Sequence, residues 1–151
     1  PTPRKGLIWM VTPAPTVRHA IEYHQATLQH VWLIVTPEMR EHAHNLQRFL
    51  EEHSIEAHIV KLEQAYNAKE CYDFVRWVIE TDAPAVGFTR ADIIADITGG
   101  TKPMTAGMVL ACNDRAVAIE HVPTQFSLDN QPLIPLDPIE ISFEYSTSPI
   151  T

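Results

Sequence analysis

Short apolar runs alternate with helix-spaced apolar patterns along most of this chain, and that alternation limits the fold more than any other feature. "GLIWMV" (6–11) has the length of a buried strand and stops at Thr12-Pro13-Ala14-Pro15, where proline blocks continuation. Val17, Ala20, Ile21, His24 and Leu28 then recur at helical spacing, with Thr16 as candidate N-cap. "HVWLIV" (30–35) reads as the second strand, and Met39, Ala43, Leu46, Phe49 and Leu50 line one face of a second helix. "EAHIVKL" (56–62) alternates as a third strand, and a third helix is predicted from about Asn67 to Thr81. "AVGF" (85–88) reads as a short extended piece and "DIIADIT" (92–98) as a strand, followed by a helix from Pro103 to about Asn113. "AVAIEHV" (116–122) and "PIEISFEYS" (138–146) read as closing strands joined by a Pro-rich polar link.

This order predicts an α/β fold: a Rossmann-like three-layer sandwich, with a mainly parallel sheet and an antiparallel C-terminal strand pair. Ligands of such sheets bind beyond the carboxyl ends of the strands. Two loops expected there carry unusual chemistry, "TPAPT" (12–16) and "TGGTKP" (98–103).

Gly99 and Gly100 let a ligand approach the backbone closely. The helix behind them offers unpaired N–H groups, Lys102 a full charge, and Thr98 and Thr101 hydroxyls. That set suits a phosphate, although a tight strand-to-helix turn with a solvated lysine satisfies the local pattern equally well. A Walker loop would place Ser or Thr where Pro103 stands, and "TPAPT" lacks the glycines of a dinucleotide site, so neither ATP hydrolysis nor NAD chemistry is expected. The net charge of −8 argues against duplex nucleic acid, which needs a basic face, but allows a small anion on a local cluster of donors. Cys71 and Cys112 read as reduced, buried thiols. The eight histidines fall at no metal-ligand spacing along the chain, so neither a metal nor a cofactor is expected. No run of about 20 apolar residues is present, so no membrane span is predicted within this sequence.

"DITGGTKPMTAGM" (96–108) resembles the signature of the CRISPR-associated Rossmann-fold (CARF) domains. The resemblance implies a homodimer that senses cyclic oligoadenylate, foremost cyclic tetra-adenylate, a second messenger of type III CRISPR defence. It places the ligand across the two-fold axis, against the first-strand loop and the Gly-Gly-Thr-Lys loop of each subunit. The implied contacts are Thr12, Pro13, Ala14 and Thr16, with Thr98, Gly99, Gly100, Thr101, Lys102, Pro103 and Met104. Met104, Ala106, Gly107, Met108, Leu110 and Ala111 leave the following helix almost no polar face. It is therefore expected to pack on the sheet with one side and on a second copy with the other, a fully internal helix being the alternative.

No catalytic residue is assigned. "RHAIEYH" (18–24) and "RAVAIEH" (115–121) match the spacing of a helical ribonuclease motif but fall on a sheet-domain helix and at the entry to a strand. The resemblance is closest to membrane-anchored members, which makes "PTPRK" (1–5) a juxtamembrane linker, 6–147 the CARF domain and 148–151 a tail. A cytoplasmic sensor, tethered to the inner membrane by a segment outside this sequence, is the expectation. Two other readings stand beside it. One is a stand-alone ring nuclease, in which Lys102 stabilises developing charge and Thr12 positions a ribose. The other is the sensor half of a transcription regulator.

Overall fold

Five consecutive buried residues, Gly6–Met10, form β1 in the computed structural model, which describes residues 2–13, 16–125 and 134–143. A strand buried on both faces must lie inside a sheet, and β1 pairs in parallel with β2 (His30–Val35) on one side and β4 (Ile93–Asp96) on the other. β3 (Glu56–Lys61) adds beyond β2, β5 (Ala118–His121) pairs in parallel with β4, and β8 (Ile139–Ile141) closes antiparallel on β5. The order β3-β2-β1-β4-β5-β8 is the expected mainly parallel sheet with an antiparallel closing pair. The link between the closing strands carries a small second sheet, β6 (Thr124–Gln125) with β7 (Ile134–Pro135).

Helices cover both faces. α1 (Thr16–His24) and α2 (Arg40–Glu52) bury Ala20, Ile21, Ala43, Leu46 and Leu50 against Leu7, Trp9, Leu33 and Ile94. On the other face α3 (Ala68–Trp77) and α5 (Lys102–Asp114) bury Cys71, Val75, Met104, Met108 and Cys112 against Ile8, Trp32, Ile34 and Ala95. Both cysteines are free thiols in this core.

Several boundaries differ from the sequence reading for visible reasons. α1 ends at His24, four residues before Leu28. Thr27 and Leu28 turn back onto the His24 carbonyl, and the Thr27 hydroxyl donates to the carbonyl of Arg4. The piece at 85–88 is not extended. α3 continues through a wide turn, Val78–Asp82, into α4 (Ala83–Ala85), and Gly87 at φ +87° ends it. The Pro84 ring would collide with the carbonyl four residues back in a regular helix, which accounts for the widened turn before it. Phe88 then returns its N–H to Ala83 and buries its ring. Residues 144–146 of the last predicted strand lie outside the described residues. Arg4 is only 7% exposed, with Nη1 donating to the carbonyl of Ala91, and the Lys5 N–H donates to Asp92, so this end of the 1–5 stretch is tied into the domain.

Candidate functional site

β1 lies between β2, which follows it in the chain, and β4, which comes after two further crossovers. The strand order therefore reverses at β1/β4, and the loops leaving these strands diverge to open a crevice. Among the described residues these are 11–13 and 97–101, parts of the two loops singled out by their residues. They meet at close range. A Cβ on Gly99 would lie 2.6 Å from Thr12 Cγ2 and 2.7 Å from the Met10 carbonyl, so only glycine lets the loops touch there. Gly100 sits at φ +83°, against the Met10 side chain.

Thr101 caps α5: its Oγ1 accepts the Met104 N–H and donates to the carbonyl of Ala65, joining the glycine loop to the loop after β3. The result is a groove of about 340 Å³ lined by Val11, Thr12, Pro13, Thr36, Glu38, Met39, Ala65, Tyr66, Gly100, Thr101 and Met104. Tyr66 stands 79% exposed at its edge. Thr36, Glu38, Met39, Ala65 and Tyr66 were not singled out from sequence, because nothing in the chain tells which other loops surround the switch point.

The implied contacts divide accordingly. Thr12, Pro13, Gly100, Thr101 and Met104 line the groove. Gly99 is buried as the hinge between the two loops, and Pro103 is half-buried in the first turn of α5. Lys102 is exposed beside the groove, outside its lining, and makes no ion pair among the described residues. Thr98 is committed to the fold: its N–H donates to Asp96 Oδ1 at 2.8 Å and its hydroxyl accepts the Val122 N–H at 2.8 Å. Ala14 lies outside the described residues, and only the backbone of Thr16 is described.

Gly107 shapes the other side of α5. A Cβ there would collide with the Ala68 carbonyl, so α5 and α3 pack backbone to backbone along one flank. Ala106 and Leu110, the latter 53% exposed, stand on the outer side. The ribonuclease-like spacings do not form a site: the Arg18 guanidinium lies over the Phe49 ring, Arg115 pairs with Glu80, and His24 is buried against Glu120.

Beneath the glycine loop lies a charged cluster. The β1–β4 and β4–β5 registers put Trp9, Asp96 and Glu120 side by side on one face, below α1. Burial, and then the neighbouring Glu120, push the Asp96 carboxyl up to about 8, and burial raises Glu120 as well. Burial and the nearby Arg4 lower His24, so a neutral imidazole donates Nε2–H to Glu120 Oε1 at 2.5 Å. Asp96 Oδ2 and Glu120 Oε2 both lack a donor if both groups ionise. A proton retained by the pair would supply it, and the raised Asp96 carboxyl favours that state below about pH 8.

Taken together these features define a Rossmann-like α/β domain with a groove at its switch point. No family model and no curated protein matches the sequence. Solved structures share the fold. One is a type III CRISPR defence DNA nuclease activated by cyclic oligoadenylate (22% identity, TM-score 0.66, covering 93% of this chain and 21% of that one). Another is Can2 from Sulfobacillus thermosulfidooxidans in complex with cyclic tetra-adenylate (18%, 0.65, 87% and 37%). A third is Csm6 from Enterococcus italicus bound to a cyclic hexa-adenylate analogue (14%, 0.66, 80% and 34%). This chain spans between about a fifth and just over a third of those proteins.

Proposed function

We propose that this chain is a CARF domain: a cyclic oligoadenylate sensor of type III CRISPR defence that binds its ligand, foremost cyclic tetra-adenylate, as a homodimer. The carrying observation is the seat of the Gly99–Lys102 loop against Thr12, at the switch point and on the rim of a groove. The shared fold of the cyclic-oligoadenylate-binding neighbours supports it.

The groove's size favours two copies. About 340 Å³ is near the lower end of the ~300–1,000 Å³ range of small-molecule clefts, and a ring of four nucleotides overfills it. A ring with its own two-fold axis matches an isologous dimer, each copy giving one groove and one Lys102. The outer side of α5, with Ala106 and Leu110, is the surface expected to face the second copy. Tyr66 offers a ring face on which an adenine can stack.

The controlled effector lies, in this reading, outside these residues. The membrane tether is a separate proposal: of the basic pair read as a juxtamembrane flank, Arg4 is buried in the domain and bonded to the Ala91 carbonyl.

Thermal-shift measurements with cyclic tri-, tetra- and hexa-adenylate test the reading. Stabilisation by one ring size, with sedimentation as a dimer, is the expected result; no shift with any ring refutes it. Chromatography of the incubated ligand separates sensor from ring nuclease: intact ring supports the first, linear products the second.

A further inference from the structure

Across the sheet from the groove, at the N-terminal ends of β2 and β3, three ligating side chains converge. The β2–β3 register pairs His30 with Glu56 and Trp32 with His58, which puts all four on one face. His30 Nδ1 lies 2.8 Å from His58 Nε2 and 3.7 Å from Glu56 Oε2. One ligand atom from each of the three residues lies within 4.8 Å of the others. The imidazole planes differ by only 12°, and the ring centroids are 5.1 Å apart. The two nitrogens thus face each other edge to edge in nearly one plane.

We propose that His30, Glu56 and His58 form a binding site for a transition-metal ion of the zinc class, with a fourth position open to water. Two imidazoles and a carboxylate are a donor set that zinc accepts. Tetrahedral bonds of ~2.0–2.1 Å separate ligand atoms by roughly 3.4 Å, so the nitrogens must part by about 0.6 Å and the rings must turn until both lone pairs converge on the ion. Glu56, whose side chain is 67% exposed, is free to swing across the remaining gap. Trp32 stacks on His58 at 5.1 Å between centroids and Phe88 meets His30 edge-on, which keeps the two imidazoles side by side. The Asp82 carboxylate, fixed by the Trp32 indole N–H at 2.7 Å, adds negative charge nearby. The competing arrangement is a plain His–His hydrogen bond with no ion. The metal would pin β3, an outer strand of the sheet, to β2.

No ligand pattern along the chain reveals this site, because only strand pairing brings residue 30 beside residues 56 and 58. It does not depend on the sensor reading: the site stands a strand's length from the groove, roughly 16 Å. The test uses the whole chain, stripped with chelator and titrated with Co²⁺ and then Zn²⁺. One tight equivalent, visible-band absorption typical of tetrahedral cobalt, and a rise in melting temperature with zinc are expected. Glu56→Gln, on a side chain that is 67% exposed, should weaken binding at least tenfold, and His58→Asn more. Absent cobalt bands, or the same affinity in Glu56→Gln and His58→Asn as in wild type, would overturn the site.

Discussion

Replacing Asp96 by Asn should make the protein's stability less sensitive to alkaline pH. The unfolded carboxyl titrates near 3.8 and the folded one at about 8. Between those values the folded state binds the extra proton, so stability falls as pH rises until the folded group has ionised. From pH 6.5 to 8.5 the linkage gives a loss of about 2 kcal/mol, or roughly 4–8 °C in Tm for a chain of this size. Asn keeps an oxygen for the Thr98 N–H, and its amide donates to Glu120 where the shared proton did. The variant should therefore hold its Tm over this window and equal or exceed wild type at pH 8.5. Cys71 and Cys112, pushed up to about 12 by burial, add a loss at higher pH common to both proteins. On the acid side His24, lowered in the fold, loses stability as pH falls below 6.5, opposing the Asp96 contribution there. Calorimetric scans of both proteins at half-unit intervals measure the difference. Parallel profiles of wild type and Asp96→Asn between pH 6.5 and 8.5 would refute the shared proton.

Three substitutions address the groove. Lys102→Ala should weaken cyclic tetra-adenylate binding roughly ten- to hundredfold in titration calorimetry, through loss of charge-assisted contacts of ~1.5–3 kcal/mol, while the exposed position leaves Tm unchanged. Tyr66→Ala should cost ~1–3 kcal/mol of affinity if a base stacks there, again at constant Tm. Gly99→Ala should lower Tm through overpacking of ~1–3 kcal/mol, because its Cβ meets Thr12 and the Met10 carbonyl, and should abolish binding at ligand concentrations that saturate wild type.

The layer architecture was legible because its signal is local. Each buried strand is a short apolar run and each covering helix a 3.6-residue repeat, so the order of elements could be read without knowing any contact. The glycine loop was legible too, since Gly99 and Gly100 have few uses in front of a helix. What failed, or was not seen, depends on neighbours remote in sequence. "AVGF" has the apolarity of a strand, but Pro84 and the positive φ of Gly87 make it a helix end. Nothing local in the chain pairs Asp96 with Glu120; only the β4–β5 register sets them side by side. Tyr66 is a lone aromatic in a loop, with nothing in the chain to join it to a groove built from β1 and β4.

The cluster and the groove also bear on each other. An acidic chain must hold an anion with few donors, and the fold has already spent several: Thr98 gives its N–H to Asp96, Met104 gives its own to Thr101, and Pro103 has none. Among the described residues, the N–H groups of Gly99, Gly100, Thr101 and Lys102 have no hydrogen-bond partner, and the Lys102 ammonium makes no ion pair. One such set per subunit is a thin supply for a ring carrying a phosphate at every linkage. Two sets, related by the axis of the ring itself, double the donors without adding a basic surface. This argues that a single copy binds weakly and that affinity rises with dimer formation. Sedimentation should then show a ligand-free dimer that tightens on adding cyclic tetra-adenylate. Full-affinity binding of one ring by a monomer would break the argument.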